Sequence, residues 1–506
     1  MSSAFLKVRF ILSFSGACIA FGVTAQSNVP VVKTGKGYVK GMIENDIAVF
    51  KGVPYAAPPA GNLRFKPPVE HTAWNDTLST TNFGAISMQP SGGKVSGAED
   101  CLSLNIYTPK TDHNKRAVLV WVHGGSMTNG AGKFNDGHAF ADHDDIVTIT
   151  INYRLGAFGF LYLGDVDKSY AASGNNGLLD CIMALKWIKE NIRAFGGDPA
   201  RITIMGESAG AKLISAVLVS PLSKGLFQQF IAESGSVQCI RDTITAKNER
   251  SRLLKQLGLG AGDAGKLLTL PADSITKAQG IVATGIGGNS CFGPVYDGSA
   301  ITEDAYQYAA GKNLPALRAL IGTNKYEAAA FIKQEIDFGQ INTKVFKPLF
   351  EDNSPLVDAA YRRELKTNRP YGVAVNVLTQ YMYQMHTYRF AKVLAQNGTP
   401  VWMFRFDYSN GKPYGASHGQ ELKYVWDEHN LSSSADSVQK QLALSMHGAW
   451  ARFIKNGDPN IPLLPHWPQY TNARRQVMHF DTANAVTELE NVYDDKQFPS
   501  AVFVLK

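Results

Sequence analysis

The sequence predicts an α/β fold: a large, mostly parallel central sheet flanked by helices, with an antiparallel extension at the N-terminus. Apolar, β-branched runs recur at 117–122, 146–153 and 202–205, and each is long enough for a buried strand. Residues 180–194 precede the last of these runs and carry apolar side chains at helical spacing. Strands that alternate with helices are typical of a parallel sheet covered on both faces.

Length and composition fit a globular protein. The 506 residues are 44% hydrophobic and 18% charged, and no repeat or low-complexity segment divides them, so we expect a single domain over 26–506. The formal net charge of +7 is mild for this length. Because no basic stripe interleaved with aromatic residues occurs, nucleic acid is not an expected partner. The oligomeric state is not indicated.

Residues 1–25 have the pattern of an export signal. A mostly apolar stretch follows Lys7 and Arg9, and small residues lead up to Ala25. We therefore expect a signal peptide, cleavage near Ala25 and a secreted or periplasmic protein. A short membrane anchor and a lipoprotein signal ending at Cys18 are the alternatives. The apolar run is too short and too interrupted for a stable membrane span, and no later run is long enough.

The first part of the mature chain predicts the antiparallel extension. Residues 26–50 form an antiparallel opening whose second run extends over 39–50. The proline-rich stretch 52–68 cannot be helical and indicates a rigid extended loop. Alternating polarity then predicts a strand at 99–107.

The most informative stretch is Gly-Glu-Ser-Ala-Gly at 206–210, with a predicted strand before it and a predicted helix after it. This context is that of the nucleophile elbow. A side chain at either glycine would crowd the sharp turn that holds Ser208 at a strained backbone angle. Helix N-termini favour negative charge, and the amide of Ala209 is placed to stabilise an oxyanion. We expect Ser208 to be a catalytic nucleophile.

Ordered motifs along residues 35–470 resemble the type-B carboxylesterases, the α/β-hydrolase family that includes cholinesterases and Candida-type lipases. The matching motifs are Gly-Val-Pro-Tyr-Ala-Ala-Pro-Pro (52–59), Glu-Asp-Cys-Leu-Ser-Leu-Asn (99–105), His-Gly-Gly-Ser (123–126), Asn-Tyr-Arg-Leu-Gly-Ala-Phe-Gly-Phe-Leu (152–161), Gly-Asn-Asn-Gly-Leu-Leu-Asp (174–180), Phe-Gly-Gly-Asp-Pro (195–199) and Gly-Glu-Ser-Ala-Gly (206–210). The resemblance implies an α/β-hydrolase fold and a serine carboxylic-ester hydrolase that uses neither a cofactor nor a metal.

The resemblance also implies the catalytic base. Gly-Ala-Ser-His-Gly-Gln-Glu at 415–421 follows an apolar strand-like run and matches the His-Gly-x-Glu loop of the family. His418 is therefore the expected base. His429, which has acidic neighbours, and His447, which lies in a helical pattern, are the alternatives.

The catalytic acid is expected between the serine and the histidine, after a strand. The segment 316–331 resembles the family segment whose glutamate orients the histidine, and it places Glu327 in that role. Alanine follows Glu327 where the family usually has glycine. Glu335 and Asp337 would compete for the role if Glu327 were a surface residue.

The resemblance extends to the oxyanion hole and the pocket. The family uses the second and third amides of a His-Gly-Gly-Gly loop, which correspond here to Gly125 and Ser126, together with the amide of Ala209. Ser126 replaces a glycine and should narrow the site. Phe292 matches an acyl-pocket position, and Glu207 is expected to form supporting hydrogen bonds beside the nucleophile.

Four cysteines remain after the predicted cleavage. The family pairs the cysteine at the position of Cys101 with one that is Ser87 here, so Cys101 lacks its partner. Cys181 lies on a largely apolar helix and should be buried. Cys239 and Cys291 are then the only plausible pair, which the sequence alone does not fix.

We therefore expect a small-molecule carboxylic ester with a short to medium acyl chain as substrate. An interfacial lipase is one alternative, but the stretch 60–100 contains no convincing long lid. A catalytically idle, cholinesterase-like adhesion protein is the other, and such proteins commonly lose a triad residue that this chain retains. A cholinesterase is disfavoured, because 88–99 lacks the tryptophan that would hold a quaternary ammonium.

Overall fold

The computed structural model describes Met1 and residues 29–489, apart from 289–290, 312–313, 315 and 366–368. Beyond Met1, the predicted signal peptide lies outside the described residues. None of the helices within the described ranges is long and apolar enough to cross a membrane.

Sixteen strands occur in the described residues. In chain order they are β1 Val31–Thr34, β2 Gly37–Lys40, β3 Met42–Glu44, β4 Ile47–Pro54, β5 Leu78–Ser79, β6 Gln89–Ser91, β7 Lys94–Ser96, β8 Ser103–Thr108, β9 Arg116–Val122, β10 Val147–Ile151, β11 Gly197–Glu207, β12 Gln229–Glu233, β13 Arg318–Asn324, β14 Val401–Phe406, β15 Gln476–Phe480 and β16 Ala485–Glu488.

The same part of the chain contains fourteen α-helices. They are α1 His138–Ala141, α2 Gly156–Phe160, α3 Asn176–Asn191, α4 Ala209–Leu218, α5 Thr243–Gln256, α6 Ala272–Val282, α7 Gly285–Gly288, α8 Ala305–Ala310, α9 Lys347–Phe350, α10 Ser354–Glu364, α11 Pro370–Thr379, α12 Met385–Gln396, α13 Leu422–Val425 and α14 Ser437–Asn456.

Eleven of the described strands form one sheet in the order β16-β15-β14-β13-β12-β11-β9-β10-β8-β4-β3. The seven strands from β15 to β10 in that order run parallel, whereas β16 at one edge and β8, β4 and β3 at the other are antiparallel to their neighbours. The predicted large, mostly parallel sheet is confirmed. Its parallel strands end along a single edge, which is where ligand sites form in α/β sheets.

The sheet is buried on both faces because successive side chains of a strand point to opposite sides. In β9, Val118 and Val120 belong to the core that includes residues of α3 and α4. Leu119 and Trp121, which alternate with them, belong to the core on the other face, beneath α14. This alternation explains the near-continuous apolar runs in the sequence, which are typical of parallel strands.

The N-terminal extension is antiparallel, as predicted, with β1 paired to β2. The run expected over 39–50 is, however, divided. Asn45 and Asp46 adopt positive φ values of 46° and 65°, and Glu44 pairs with Ile47 across them. Two such residues form the tight turn whose twist matches a β-hairpin. The chain therefore reverses between β3 and β4.

A third core cluster lies outside the sheet and was not predicted. It runs from Ala328 to Met385 and contains α9, α10, α11 and two π-helical turns at Asn342–Phe346 and Gln380–Gln384. We call it the helical cover; it is described over 328–365 and 369–385. Tyr326 packs against both the helical cover and the sheet core beneath α14, so the cover begins directly after β13.

Candidate active site

The turn between β11 and α4 holds Ser208 in a conformation that L-residues rarely adopt, with φ 55° and ψ −121°. Two glycines make the turn possible. A side chain at Gly206 would lie 2.7 Å from the backbone of Gly210, and one at Gly210 would collide with the carbonyl oxygen of Val122. The Ser208 N–H donates to the Glu233 carbonyl at 2.9 Å. These close contacts and this hydrogen bond hold the backbone of Ser208 in place, with its hydroxyl at the edge of the sheet.

Three side chains from three different strand ends meet at this turn. His418 Nε2 lies 2.7 Å from Ser208 Oγ, and His418 Nδ1 lies 2.6 Å from Glu327 Oε2. Glu327 follows β13 and is fully buried, while His418 lies on the loop after β14. The second oxygen of Glu327 accepts the N–H of Asn324 at 2.7 Å, which fixes the orientation of the carboxylate. The structure thus brings together the serine, histidine and glutamate that the sequence predicted.

The alternative candidates for the catalytic acid and base lie away from Ser208. Glu335 and Asp337 are exposed, and Asp337 accepts the N–H of Gly339. His429 is exposed, whereas His447 Nε2 pairs with Asp144 at 2.7 Å, on the far side of the sheet core. None of these side chains is placed to contact Ser208.

Glu207 lies closer to the histidine than the sequence suggested. Its Oε1 is 3.2 Å from His418 Nε2, the same nitrogen that faces Ser208 Oγ. Burial raises the pKa of Glu207 to about 7, with the charge of Glu327 adding to the rise and that of His418 opposing it. Glu207 therefore contacts the base directly and carries a negative charge there only above a near-neutral pH.

The electrostatics of the site favour a protonated histidine. Burial lowers the pKa of His418, but the carboxylates of Glu207 and Glu327 outweigh burial and raise that pKa to about 9. A third carboxylate, Glu421, accepts from Asn324 Nδ2, and burial raises its pKa to about 8. Because these groups stabilise the imidazolium, they stabilise the form that the histidine takes after it accepts a proton.

The loop after β9 lies against the nucleophile. A side chain at Gly124 would lie 3.2 Å from Ser208 Cβ. Gly125, Ser126 and Met127 have φ values of 104°, 54° and 55°, so three successive residues of the loop have positive φ. Among the described residues, no acceptor takes the N–H groups of Gly125, Ser126 or Ala209. Free amides beside a nucleophile are the components of an oxyanion hole.

Ser126 also affects the conformational energy of that loop. The resemblance places a glycine at this position, which tolerates positive φ without cost, whereas a serine there costs roughly 1–2 kcal/mol. The loop keeps the left-handed conformation in spite of the side chain. Ser126 therefore adds a side chain to the loop at a backbone conformation that favours glycine.

Aromatic side chains that the sequence analysis missed form the wall beside the base. Phe331 lies 5.1 Å and Tyr383 4.9 Å from the His418 ring, measured between ring centroids. Phe331 follows the first turn of the helical cover, and Tyr383 comes from its second π-helical turn. No motif marks either position. Glu421, by contrast, could have been found from the His-Gly-x-Glu loop.

Phe292 is buried in the core on the α3 and α4 face of the sheet. The described contacts do not join it to the triad. Its place in an acyl pocket remains a prediction. Within the described residues, no group of three or more His, Cys, Asp or Glu side chains is placed to hold a metal ion.

The predicted pairing of Cys239 with Cys291 is wrong. Both are buried free thiols, as are Cys101 and Cys181. The segment after Cys239 runs parallel to the segment after Cys291, with Arg241 opposite Val295. This register sets Cys239 beside Gly293, so the two sulfurs face different carbonyl groups, those of Lys212 and Val282.

The carboxylesterase family model matches residues 28–498. Para-nitrobenzyl esterase of Bacillus subtilis (strain 168) is 34% identical, over 93% of this chain and 99% of the relative. Carboxylesterase 1D of Rattus norvegicus is 30% identical over 90% of each. A solved carboxylesterase of Geobacillus stearothermophilus has a TM-score of 0.83 at 35% identity, covering 92% of this chain and 99% of that one. Together with the fold and the residues at the β11–α4 turn, these matches establish that the chain belongs to the carboxylesterase family and is a serine carboxylic-ester hydrolase.

Proposed function

We propose that this protein hydrolyses small to medium carboxylic esters through an acyl-enzyme on Ser208. The observation that carries the proposal is the pair of short hydrogen bonds joining Glu327, His418 and Ser208, at 2.6 Å and 2.7 Å. Nucleophile, base and orienting acid within hydrogen-bond reach are the arrangement that serine acyl transfer requires.

In the acylation step Ser208 Oγ attacks the ester carbonyl while His418 Nε2 takes the hydroxyl proton. The carboxylate of Glu327 stabilises the imidazolium that forms and keeps Nε2 directed at the serine. The carbonyl oxygen becomes an oxyanion, which accepts hydrogen bonds from the N–H groups of Gly125, Ser126 and Ala209. His418 then gives its proton to the alkoxide, and the alcohol leaves.

Deacylation repeats these roles with water. His418 takes a proton from the water that attacks the acyl-enzyme, and the same amides hold the second oxyanion. The proton then passes to Ser208 Oγ as the acid leaves. Removal of Ser208 or His418 should therefore block both halves of the reaction.

The side chains around Ser208 and His418 support a preference for short acyl groups. Ser126 projects a side chain from the amide loop, and Phe331 and Tyr383 stand beside the base. Such walls exclude a longer chain by collision, which can discriminate more strongly than the roughly 1–3 kcal/mol of a single methylene contact. Acetyl and butyryl esters should be cleaved faster than decanoyl or palmitoyl esters.

The test is a panel of p-nitrophenyl esters from acetate to palmitate, together with emulsified triolein, run on wild type and Ser208→Ala. Wild type should turn over acetate and butyrate, and Ser208→Ala should lose roughly 10⁴-fold to 10⁶-fold in kcat while keeping the wild-type circular dichroism spectrum. A wild-type optimum at the longest chains would favour a lipase, and retained activity in Ser208→Ala would contradict the nucleophile.

We also propose that the protein is exported and loses residues 1–25. The support is the pattern of the N-terminal sequence, a short cationic start, an apolar stretch and small residues up to Ala25. N-terminal sequencing of the protein recovered from its native cells should begin at Gln26. A sequence that begins at Met1 would contradict the proposal.

A further inference from the structure

The helix that follows the nucleophile contains a single charged residue, Lys212. Every other residue of α4, Ala209–Leu218, is buried. Lys212 is half-buried, so solvent reaches its side chain although it lies one turn from Ser208. The backbone N–H of Lys212 donates to the Ser208 carbonyl at 2.9 Å. This bond holds the Lys212 backbone one helical turn after the nucleophile.

The ammonium group of Lys212 is directed toward the active site. Its Nζ lies 5.1 Å from the centre of the Tyr383 ring, and that ring lies 4.9 Å from the His418 ring. Solvent also reaches Ser208, His418 and Phe331. Lys212, the nucleophile and the base are thus all partly exposed, and the Tyr383 ring lies beside both Lys212 and His418.

This cation is not neutralised by an ion pair. Among the described residues, no carboxylate lies within ion-pair distance of Lys212 Nζ and no acceptor takes its hydrogens. Burial lowers the pKa of Lys212. Cys239 and the carboxylates of Glu207 and Glu327 oppose this shift, and the guanidinium of Arg241 adds to it. An ammonium held over an aromatic face in a partly dry site has the capacity to bind an anion.

The two sides of the site differ in charge. Glu207 Oε1 lies 3.2 Å from His418 Nε2, the atom that delivers the proton to the leaving alcohol, so the alcohol side faces a carboxylate. Lys212 lies against Cys239, whose sulfur contacts the Lys212 carbonyl at 3.5 Å, and Arg241 of the same segment donates to the Cys291 carbonyl. An anion on the leaving alcohol therefore meets the like charge of Glu207, which leaves the acyl part as the place for an anion that pairs with Lys212.

We propose that Lys212 selects esters whose acyl part carries a second, anionic group a few bonds from the carbonyl, such as the half-esters of short dicarboxylic acids. Lys212 forms an ion pair with that group while Ser208 attacks the ester. This inference rests on the proposed acyl-enzyme at Ser208 and names the substrate class of that site. Neutral short esters, which lack the partner for Lys212, are slower substrates.

The test compares three substrates in pH-stat assays: the monoethyl ester of glutaric acid, the neutral ethyl ester of glutaric acid monoamide, and the acetate ester of β-hydroxypropionic acid, whose anion is on the alcohol. In wild type, kcat/KM for the half-ester should exceed that for its amide by roughly 10-fold to 100-fold, the range for a hydrogen bond to a charged group. The acetate ester of β-hydroxypropionic acid should have the lowest kcat/KM of the three substrates.

The variants are Lys212→Met, Lys212→Gln and Lys212→Arg, with Lys224→Met as control because Lys224 is exposed. The half-ester-to-amide ratio should fall to about one in Lys212→Met and Lys212→Gln, mainly through KM, and should be largely kept in Lys212→Arg and Lys224→Met. A wild-type ratio near one, a ratio unchanged in both neutral variants, or a preference for the alcohol-side anion would overturn the inference.

The two proposals fail in different ways. If wild type cleaves neither the amide ester nor p-nitrophenyl acetate, the proposed function is contradicted. If wild type cleaves both and Ser208→Ala cleaves neither, but the ratio does not depend on Lys212, the function stands and only the anionic substrate class is contradicted.

Discussion

The nucleophile turn and the aromatic wall that faces it are held by different means. At the turn, backbone packs on backbone: a side chain at Gly210 would collide with the Val122 carbonyl oxygen. In the wall, Phe331 and Tyr383 reach the His418 ring from the helical cover, and Phe331 is half-exposed. The turn belongs to the sheet, whereas both wall residues lie on segments of the helical cover.

This difference teaches which part of the site can vary. No larger residue fits where backbone packs on backbone at the turn. The backbone atoms that would have to move also form the hydrogen bonds between β9 and β11. Side-chain contacts around a solvent-reached ring can be remodelled at modest cost. We expect changes at the sheet edge to affect the chemistry or the fold, and changes in the helical cover to affect the choice of substrate.

The largest effect is expected at the acid. Glu327→Gln keeps the shape of the buried side chain but removes the charge that stabilises the imidazolium, so kcat should fall by roughly 10⁴-fold. Glu335→Gln and Asp337→Asn are matched controls in the same part of the chain, and steady-state hydrolysis of p-nitrophenyl acetate should be unchanged in both. A comparable loss in either control would move the acid away from Glu327.

Gly210→Ala tests the backbone packing of the turn. The added methyl has no room beside the Val122 carbonyl oxygen, so the free energy of unfolding should fall by roughly 1–3 kcal/mol, as for overpacking in a core. Gly262→Ala is the control, since its added methyl meets open space. Denaturant unfolding monitored by fluorescence distinguishes them, and equal stability of the two variants would show that the turn is more pliable than described.

Glu207→Gln tests the charge beside the base. The neutral form of His418 is the reactive one, so kcat/KM falls as the pH drops below the pKa of His418, which Glu207 helps to raise to about 9. Without that charge the pKa of His418 falls, and the acid limb of the pH profile should move to lower pH by roughly one unit. A shift to higher pH, or none, would mean that Glu207 does not act on His418 through charge.

The smallest effect is expected in the wall. Phe331→Ala removes a ring beside His418 but leaves the hydrogen bonds among Ser208, His418 and Glu327 in place. Hydrolysis of bulky acyl esters should therefore rise relative to that of acetate, while kcat on acetate changes by only a few-fold, the effect of about 1 kcal/mol. Phe338→Ala is the matched control, because Phe338 packs on Tyr371 within the same helical cover. If Phe338→Ala changed the acyl preference equally, the wall would not be the cause.

The parallel core and the triad candidates were predictable because each depends on a local pattern. Apolar runs identified the strands near β9, β10 and β11, and motifs identified Ser208, Glu327 and His418, which the structure brings within hydrogen-bonding distance. The anticipated fold is confirmed, and family membership is confirmed by the comparisons.

The rest could not be predicted because it depends on contacts between distant segments. The helical cover has its own core, and nothing in its sequence indicates that Phe331 and Tyr383 face the histidine. The Cys239–Cys291 pairing failed because the register of two neighbouring segments sets Cys239 beside Gly293. The β3–β4 turn at Asn45, by contrast, has a local sequence signal, an Asn-Asp pair between apolar runs.

The central claim is that Ser208 carries the acyl group. The most direct measurement is mass spectrometry of the protein after rapid mixing with p-nitrophenyl butyrate and acid quenching, followed by peptide mapping. Wild type should carry one butyryl group, on the peptide that contains Ser208, and Ser208→Ala should carry none. A butyryl group on any other residue, or an unmodified wild-type protein during rapid turnover, would contradict the account.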